Sequence, residues 1–170
     1  MGRKQNADNE AELIMDLVKR GGAQMVFHKM NEEDVERILK YPNTMIASDA
    51  GPIKMGENMP HPRGYGSNAR VLGRYVREKK TITLEDAIRR MTALPAQRFN
   101  IKDRGQIKEG MAADILVFDP EKIQDKATFE KPHAYSEGID LVIINGRIVM
   151  KDNKMTGVKS GVILYGAGKE

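Results

Sequence analysis

The sequence of 170 residues is long enough for one domain of ordinary size or slightly more. Apolar residues make up 40% and charged residues 31%, which is typical of a globular chain and excludes intrinsic disorder. Cysteine is absent, which excludes disulfides and thiolate metal sites and favours a reducing, cytoplasmic location. The net charge is only +4, and the lysines and arginines are scattered among acidic residues, so nucleic acid is not expected as a partner. No apolar run approaches the roughly 20 residues of a membrane span, so a membrane is not expected as a partner either.

The first fifty residues alternate between helical and strand-like segments. Asp8 to Arg20 carries apolar residues at helical spacing, and the short apolar run Ala23–His28 is predicted as a buried strand. A second helix is expected to begin in the acidic run Asn31–Asp34 and to end before Tyr41-Pro42. The apolar run Thr44–Ala47 is predicted as a second strand. This alternation indicates parallel strands joined by crossover helices.

Two further helices are predicted in the middle of the chain. The first spans Asn68 to Lys80, and its buried face carries Val71, Leu72, Tyr75 and Val76. The second begins after Thr83, a capping residue followed three positions later by an acid, and Pro95 is expected to interrupt it.

The pattern changes to antiparallel β-structure after Lys102. Turn-forming residues recur at close spacing, and between them lie the β-rich runs Ile115–Phe118 and Leu141–Ile144. Asn145-Gly146 predicts a two-residue hairpin turn, with Arg147–Met150 as the return strand. We therefore expect a boundary near residue 102, with helical α/β structure in 1–102 and a small sheet in 103–170, where residues 103–165 should be mostly β-strand.

A candidate site surrounds the loop that follows the predicted strand Thr44–Ala47. The strand leads into Ser48-Asp49-Ala50-Gly51, and a loop rich in glycine and proline then ends at His61-Pro62-Arg63. A carboxylate at the end of a buried strand is how many α/β enzymes present a catalytic group. Asp49 is therefore either such a group or an ordinary turn residue, because Asp-Ala-Gly also favours turns.

The basic residues near this loop also allow two interpretations. Arg63 is either an exposed loop arginine or a bidentate clamp for a carboxylate, which a planar guanidinium fits well. His61, one of three histidines, could support the site or be structural. His28 ends the first predicted strand and is expected to be a satisfied core or rim histidine. His133 is expected to be exposed in a loop, and the arginines at 70, 74 and 77 to form a solvated helix face.

Several motifs in this order resemble the C-terminal part of the amidohydrolase superfamily, and most closely its D-aminoacylase branch, the N-acyl-D-amino-acid deacylases. The resemblance runs from about Leu13 to Tyr165. The motifs are Ser48–Gly51, His61–Arg63, Arg70–Glu78, Met91–Ala96, Asp103–Ile115 and Val142–Gly146. Within them, Gly105, Gly110 and Asp114 mark the turns that lead into the sheet.

The resemblance implies a C-terminal fragment of a metal-dependent hydrolase (β/α)8 barrel, with its last two strands and helices in 1–102. Ala23–His28 and Thr44–Ala47 would be the seventh and eighth strands, and 103–170 would be part of a small antiparallel β-sandwich. The family's metal-binding histidines lie on earlier strands, and this chain has no His-x-His pair. The chain alone is therefore expected to bind no zinc tightly, although the intact family enzyme uses zinc.

By the same resemblance, Asp49 is the general base and acid close to the metal, and Arg63 binds the α-carboxylate of the substrate. His61 and Ser48 would support these two residues. The implied function is hydrolysis of a carbon–nitrogen bond that is not a peptide bond, in an N-acyl-D-amino acid. The alternatives are a dihydroorotase-like branch, in which Arg63 would not bind an α-carboxylate, and a non-catalytic remnant or assembly module.

The resemblance also carries an expectation about association. A barrel cannot close with two strands, so an isolated chain would be inactive or would depend on the N-terminal barrel portion as a partner. Val26, Phe27, Met45 and Ile46 would then lack neighbours, and exposed apolar faces of that kind favour oligomers or poor solubility.

Overall fold

The computed structural model describes residues 10–22 and 29–165. These residues fall into two compact units that meet in sequence between Asn31 and Glu32. The smaller unit contains α1 (Glu10–Lys19), which lies within the helix predicted for 8–20. Asp8, where the predicted helix begins, and the expected strand Ala23–His28, with His28, Val26 and Phe27, lie outside the described residues.

The larger unit begins with four α-helices. These are α2 (Glu32–Lys40), α3 (Arg63–Arg70), α4 (Leu84–Met91) and α5 (Ala93–Arg98). A π-helical segment (Val71–Glu78) continues α3 without a break. The buried residues of the core are Leu39, Ala69, Val71, Leu72, Tyr75, Ala87 and Ile123.

The Thr83 cap is confirmed. Its side chain accepts a hydrogen bond from the Asp86 amide at 3.2 Å, so one of the unpaired amides in the first turn of α4 is satisfied. The expected interruption at Pro95 is wrong, because the helix breaks earlier, at Thr92, which has φ −129° and ψ −83°. Pro95 lies in the first turn of α5, where its missing N–H costs no intrahelical bond.

The predicted strand Thr44–Ala47 is also wrong. These residues are extended but join no strand ladder, and their backbone contact with α4 is one bond from Ile46 N to Arg90 O, 3.3 Å long. A strand needs a hydrogen-bonded neighbour, and no parallel pair occurs among residues 10–22 and 29–165. Ile46 still packs against the helical core, while Met45 is 36% exposed.

A four-stranded antiparallel sheet completes the described part of the larger unit, in the order β1 (Ile115–Phe118), β2 (Ile139–Ile144), β3 (Arg147–Lys151) and β4 (Lys154–Met155). The predicted hairpin is confirmed: Ile144 pairs with Arg147, and Asn145 and Gly146 have φ of 49° and 74°. Both angles are positive, as a type I′ turn requires. The strands take up only part of 103–165, so the expectation of a mostly stranded region is wrong.

Helices α2 to α5 and the sheet belong to the same compact unit, and the boundary near residue 102 stays a prediction. The barrel assignment likewise stays a prediction. No helix in the described part of the chain combines the length and the apolar character that crossing a membrane would need.

Candidate active site around Asp49 and Arg63

Asp49 and Arg63 lie at the two ends of the glycine- and proline-rich loop, and the structure brings them together. Arg63 Nη2 is 2.9 Å from Asp49 Oδ2, and the side chains are 43% and 87% exposed. Asp49 has φ 50°, a left-handed conformation that aspartate tolerates better than most residues do. Among the described residues, the other N–H groups of the Arg63 guanidinium have no acceptor, so they can receive a ligand.

Arg63 is the first residue of α3, not a residue of the loop as the sequence suggested. The helix begins five residues before the predicted start because Pro62 already has helical angles, φ −52° and ψ −26°. His61 Nδ1 accepts the Arg63 amide at 3.1 Å, and Ser67 Oγ donates to the Arg63 carbonyl at 3.0 Å. A helix terminus therefore fixes the backbone of Arg63, while its side chain stays exposed.

His61 and Ser48 both lie close to this pair. Burial lowers the pKa of His61, and the charge of Arg63 lowers it further, while the charge of Asp49 acts in the opposite direction. The His61 ring meets the Phe129 ring edge-on, with centroids 5.0 Å apart. Ser48 is half-buried and lines a cavity together with Arg63.

That cavity has a volume of about 1110 Å³ and lies between the helices and the sheet. Its walls are mostly apolar side chains, among them Leu72, Ile88, Met91, Leu116 and Ile139. Ser48 and Arg63 bring polar groups to it, but Asp49 and His61 are not among the residues that line it. The cavity thus gives a ligand held by Arg63 a largely apolar space to extend into.

His133 was expected to be exposed, but it is half-buried against the loop between Asp49 and Arg63. Its ring nitrogens contact the loop backbone and the Tyr65 hydroxyl of α3. Periodicity and spacing gave no signal for this contact, because 68 residues separate Tyr65 from His133.

The arginines on the helical face of α3 and the π segment are paired, contrary to the expected solvated face. Arg70 binds Asp125 at 3.0 Å, and Arg74 binds Glu32 at 3.0 Å. Arg77 donates to the carbonyls of Pro120 and Ile123, at 3.1 and 2.7 Å. These arginines therefore join separate parts of the larger unit rather than offering free positive charge.

Asp114 has the structural role expected for the entry to the sheet. Its Oδ1 accepts the Asn145 amide at 2.8 Å, and its Oδ2 pairs with Arg104. Burial raises the pKa of Asp114, but these hydrogen bonds and the positive charge of Arg104 outweigh it, so the pKa is lowered. Gly105 and Gly110 have φ of 86° and 79°, angles that favour glycine.

The described residues do not form a metal centre by themselves. In 10–22 and 29–165, no three His, Cys, Asp or Glu side chains lie close enough together to hold a metal ion. The charged partner of Asp49 is a guanidinium, which has no lone pair to offer a cation. A zinc site of about three protein ligands thus does not fit the donors present in this part of the chain.

Comparison with known proteins gives the family of the chain. Residues 7–150 match the model of the amidohydrolase family. The chain is similar to a D-aminoacylase of Alcaligenes xylosoxydans xylosoxydans, at 42% identity over 142 residues, which cover 84% of this chain and 29% of that protein. It is also similar to a dihydroorotase of Lactobacillus acidophilus, at 33% identity over 95 residues, which cover 56% of this chain and 21% of that protein.

Solved structures agree with this result. A D-aminoacylase crystal structure, described as defining a novel subset of amidohydrolases, matches with a TM-score of 0.76 at 39% identity, covering 88% of this chain and 33% of that chain. An N-acyl-D-glutamate deacylase from Bordetella bronchiseptica, in complex with zinc and a phosphonate inhibitor, matches with a TM-score of 0.68 at 46% identity, covering 74% of this chain and 26% of that chain. The chain thus spans a third or less of these relatives. It belongs to the amidohydrolase family.

Proposed function

We propose that this chain carries part of the active site of an enzyme that hydrolyses N-acyl-D-amino acids to a D-amino acid and a carboxylic acid. The observation that carries the proposal is the Asp49–Arg63 pair, 2.9 Å apart beside a cavity, in a chain 42% identical to a D-aminoacylase. The deacylase relatives supply the substrate class, and the geometry of the pair suggests what each residue does.

Arg63 would bind the α-carboxylate of the substrate. A guanidinium offers parallel N–H groups that match the two oxygens of a carboxylate, and Asp49 already forms an ion pair with this guanidinium. The substrate carboxylate would take up the remaining donors or replace Asp49 on Arg63. Because Arg63 lines the apolar cavity, the rest of the substrate can extend along its wall.

Asp49 would transfer the proton. When water attacks the amide carbonyl, a carboxylate can take one of the water's protons and later give it to the leaving nitrogen as the carbon–nitrogen bond breaks. Release of Asp49 from Arg63 by the incoming substrate would make its oxygens available for this step. Ser48 and His61 would hold the backbone on either side of the pair.

Zinc enters only as part of the complete enzyme in this proposal. In hydrolases of this kind a zinc ion activates water as a Lewis acid. Its ligands would come from residues other than those described, such as a barrel portion acting as a partner, with Asp49 beside the metal. Cytoplasmic location likewise stays a prediction.

The test is hydrolysis of an N-acyl-D-amino acid by the chain alone and by the chain joined to the N-terminal portion of a D-aminoacylase. In the active form, Asp49→Asn should lower kcat by about 10²–10⁴-fold with little change in metal content, since the amide cannot take up a proton. Arg63→Lys should mainly raise KM, since lysine keeps the charge but loses the paired hydrogen bonds.

A matched control is the exposed pair on α2, where Arg37 Nη1 lies 4.0 Å from Asp34 Oδ1. Asp34→Asn and Arg37→Lys should leave both constants unchanged. Near-normal turnover by Asp49→Asn would show that Asp49 is only a turn residue and would overturn the proposal.

The dihydroorotase relatives favour a second candidate, hydrolysis of a cyclic amide. Under that candidate, dihydroorotate would be turned over and Arg63→Lys would not raise KM selectively for substrates with an α-carboxylate. A non-catalytic assembly module is the third outcome. An assembly module would hydrolyse neither substrate, either alone or joined to the N-terminal portion, but it would bind a barrel portion stably.

A further inference from the structure

We propose that His133 is a positioning residue that sets the conformation of the loop between Asp49 and Arg63; its importance for catalysis rests on the proposed function. The imidazole lies where three parts of the larger unit meet: its own segment, the loop and α3. Its hydrogen bonds are made by its two ring nitrogens, and each nitrogen has a defined role.

The first nitrogen binds the loop and the helix together. Nδ1 lies 3.2 Å from the Gly56 amide and 3.0 Å from the Tyr65 hydroxyl. Tyr65 is two residues beyond Arg63 on α3, so a single atom of His133 contacts the loop and the helix that carries Arg63. Ser136, on the same segment as His133, also donates to the Tyr65 carbonyl at 3.0 Å.

The second nitrogen fixes the tautomer of the ring. Nε2 lies 2.9 Å from the Asn58 carbonyl, an acceptor, so Nε2 must carry the proton. The Gly56 amide is a donor, so Nδ1 must be the acceptor. Only the neutral imidazole with its proton on Nε2 satisfies both contacts. The Nδ1–H tautomer would place two donors together at Gly56 and two acceptors together at Asn58.

The loop needs such a support because its own preferences do not determine its shape. Gly56 and Asn58, the two loop residues that form hydrogen bonds with His133, have φ of 81° and 58°. The left-handed conformation costs a non-glycine residue about 1–2 kcal/mol. Among the described residues, the polar contacts that join 51–60 to another segment are the two hydrogen bonds with His133 and a 3.9 Å approach of the Tyr65 hydroxyl to Met55 Sδ. The remaining bonds of the loop, such as that of Lys54 with Glu57, are internal.

The Tyr65 side completes the cluster. Burial, with a smaller effect of Tyr135, raises the pKa of Tyr65, so the hydroxyl keeps its proton at neutral pH. The Tyr65 ring meets the rings of His133 and Tyr135 edge-on, with centroids 5.8 and 5.7 Å apart. The loop is thus held against an aromatic cluster, formed by Tyr65 of α3 with His133 and Tyr135, rather than against the Asp49–Arg63 pair itself.

The test uses the full chain and compares variants that each keep one nitrogen function. His133→Asn places an amide oxygen near the position of Nδ1 and can still accept from Gly56. His133→Gln places an amide N–H near the position of Nε2 and can still donate to Asn58. His133→Phe keeps a ring and loses both contacts. Tyr135→Phe is the matched control, because it alters a hydroxyl on the same segment without touching the imidazole.

Amide hydrogen exchange, read residue by residue by NMR, gives the main result. Loss of one hydrogen bond should speed exchange at Gly56 by about 5- to 10-fold. We expect this increase in His133→Gln and His133→Phe, and protection of Gly56 in His133→Asn and in the Tyr135→Phe control. In the unmodified chain, ¹⁵N shifts should identify His133 as the Nε2–H tautomer. An unprotected Gly56, the other tautomer, or equal effects of Asn and Gln would overturn the proposal.

Activity tests the second half of the inference. In the hydrolysis assay described above, His133→Gln should raise KM more than His133→Asn, in the same order as their effects on Gly56. If His133→Gln and His133→Asn differed in amide exchange at Gly56 but had identical kinetic constants, the loop would not position the site. Absence of all hydrolysis would count against the proposed function alone, because the exchange and tautomer results do not depend on it.

Discussion

Two arginine–aspartate pairs in the larger unit have opposite environments. On α4, Arg90 binds Asp86 at 2.5 Å, and the arginine side chain is only 2% exposed. Its guanidinium also donates to the carbonyls of Leu39, in the last turn of α2, and Tyr41, just after that helix, at 2.5 and 2.7 Å. The Arg63–Asp49 pair has a similar contact distance, but both partners are exposed and Arg63 keeps donors without an acceptor.

The difference separates a structural arginine from one that can bind a ligand. Arg90 uses its donors inside the protein, where it satisfies carbonyl groups at the C-terminus of α2, so exchange of its partner would leave buried charge uncompensated. Arg63 can change partner at little cost because water replaces what it loses. The distance between the charged atoms therefore does not distinguish a structural arginine from a ligand-binding one. The burial of the side chain and the number of its donors without an acceptor do distinguish them.

The largest effect should come from Arg90→Met. Removal of the guanidinium leaves the carbonyls of Leu39 and Tyr41 without this donor and removes one of the two arginines that bind Asp86, so we expect the free energy of unfolding to fall by about 3 kcal/mol. Urea denaturation measures it. The matched control is Arg89→Met on the same helix, where the side chain is 41% exposed and the loss should be about 1 kcal/mol or less. Equal losses in the two variants would remove the distinction between buried and exposed arginines.

An intermediate effect should appear in the pH dependence of stability. Hydrogen bonding to Arg90 is the main cause that lowers the pKa of Asp86, with a further contribution from Arg89 against the opposing effect of burial. A carboxyl group whose pKa is lower in the folded state stabilises the protein above its unfolded pKa of about 3.9. That stabilisation is lost as the pH falls through the folded value.

Thermal or urea unfolding between about pH 6 and pH 2 would measure this contribution as the difference between the unmodified chain and Asp86→Asn. The difference should be constant near neutral pH and shrink on acidification. A difference that stayed constant to the lowest pH would show that the Asp86 carboxylate does not stabilise the fold.

The smallest effect should come from Asp49→Asn in the chain itself. The carboxylate is 87% exposed, and asparagine tolerates its positive φ, so the free energy of unfolding should change by about 0.5 kcal/mol or less. The same urea experiment measures it. A loss as large as that of Arg90→Met would mean that Asp49 is structural, and the contrast between the two pairs would disappear.

Local chemistry accounts for the parts of the fold that the sequence predicted correctly. Thr83 caps α4, and Asn145-Gly146 makes the hairpin turn, because each depends on residues within three or four positions. The prediction of a strand at Thr44–Ala47 was wrong because a strand depends on residues that are distant in sequence. An apolar run indicates that a segment is buried, but the segment becomes a strand only when a neighbouring strand forms backbone hydrogen bonds with it.

The candidate site divides in the same way. Asp49 and Arg63 could be singled out from the residue types and a family resemblance, and the structure adds that they touch. Arg90 and His133 could not be singled out in this way. No sequence pattern separates the buried Arg90 from Arg89 beside it, whose side chain is more exposed. His133 acts on residues 75 and 77 positions away, and no local rule connects them.

The sequence by itself determined the helix-forming segments, the cap, the hairpin and the family motifs, since these follow from short-range backbone preferences and from residue identity. The tertiary structure alone decided which arginines are buried, which nitrogen of His133 carries the proton, and how Arg63 comes to meet Asp49 across their loop. These features depend on contacts between groups that are distant in sequence. Such groups shield one another from water only after the chain has folded.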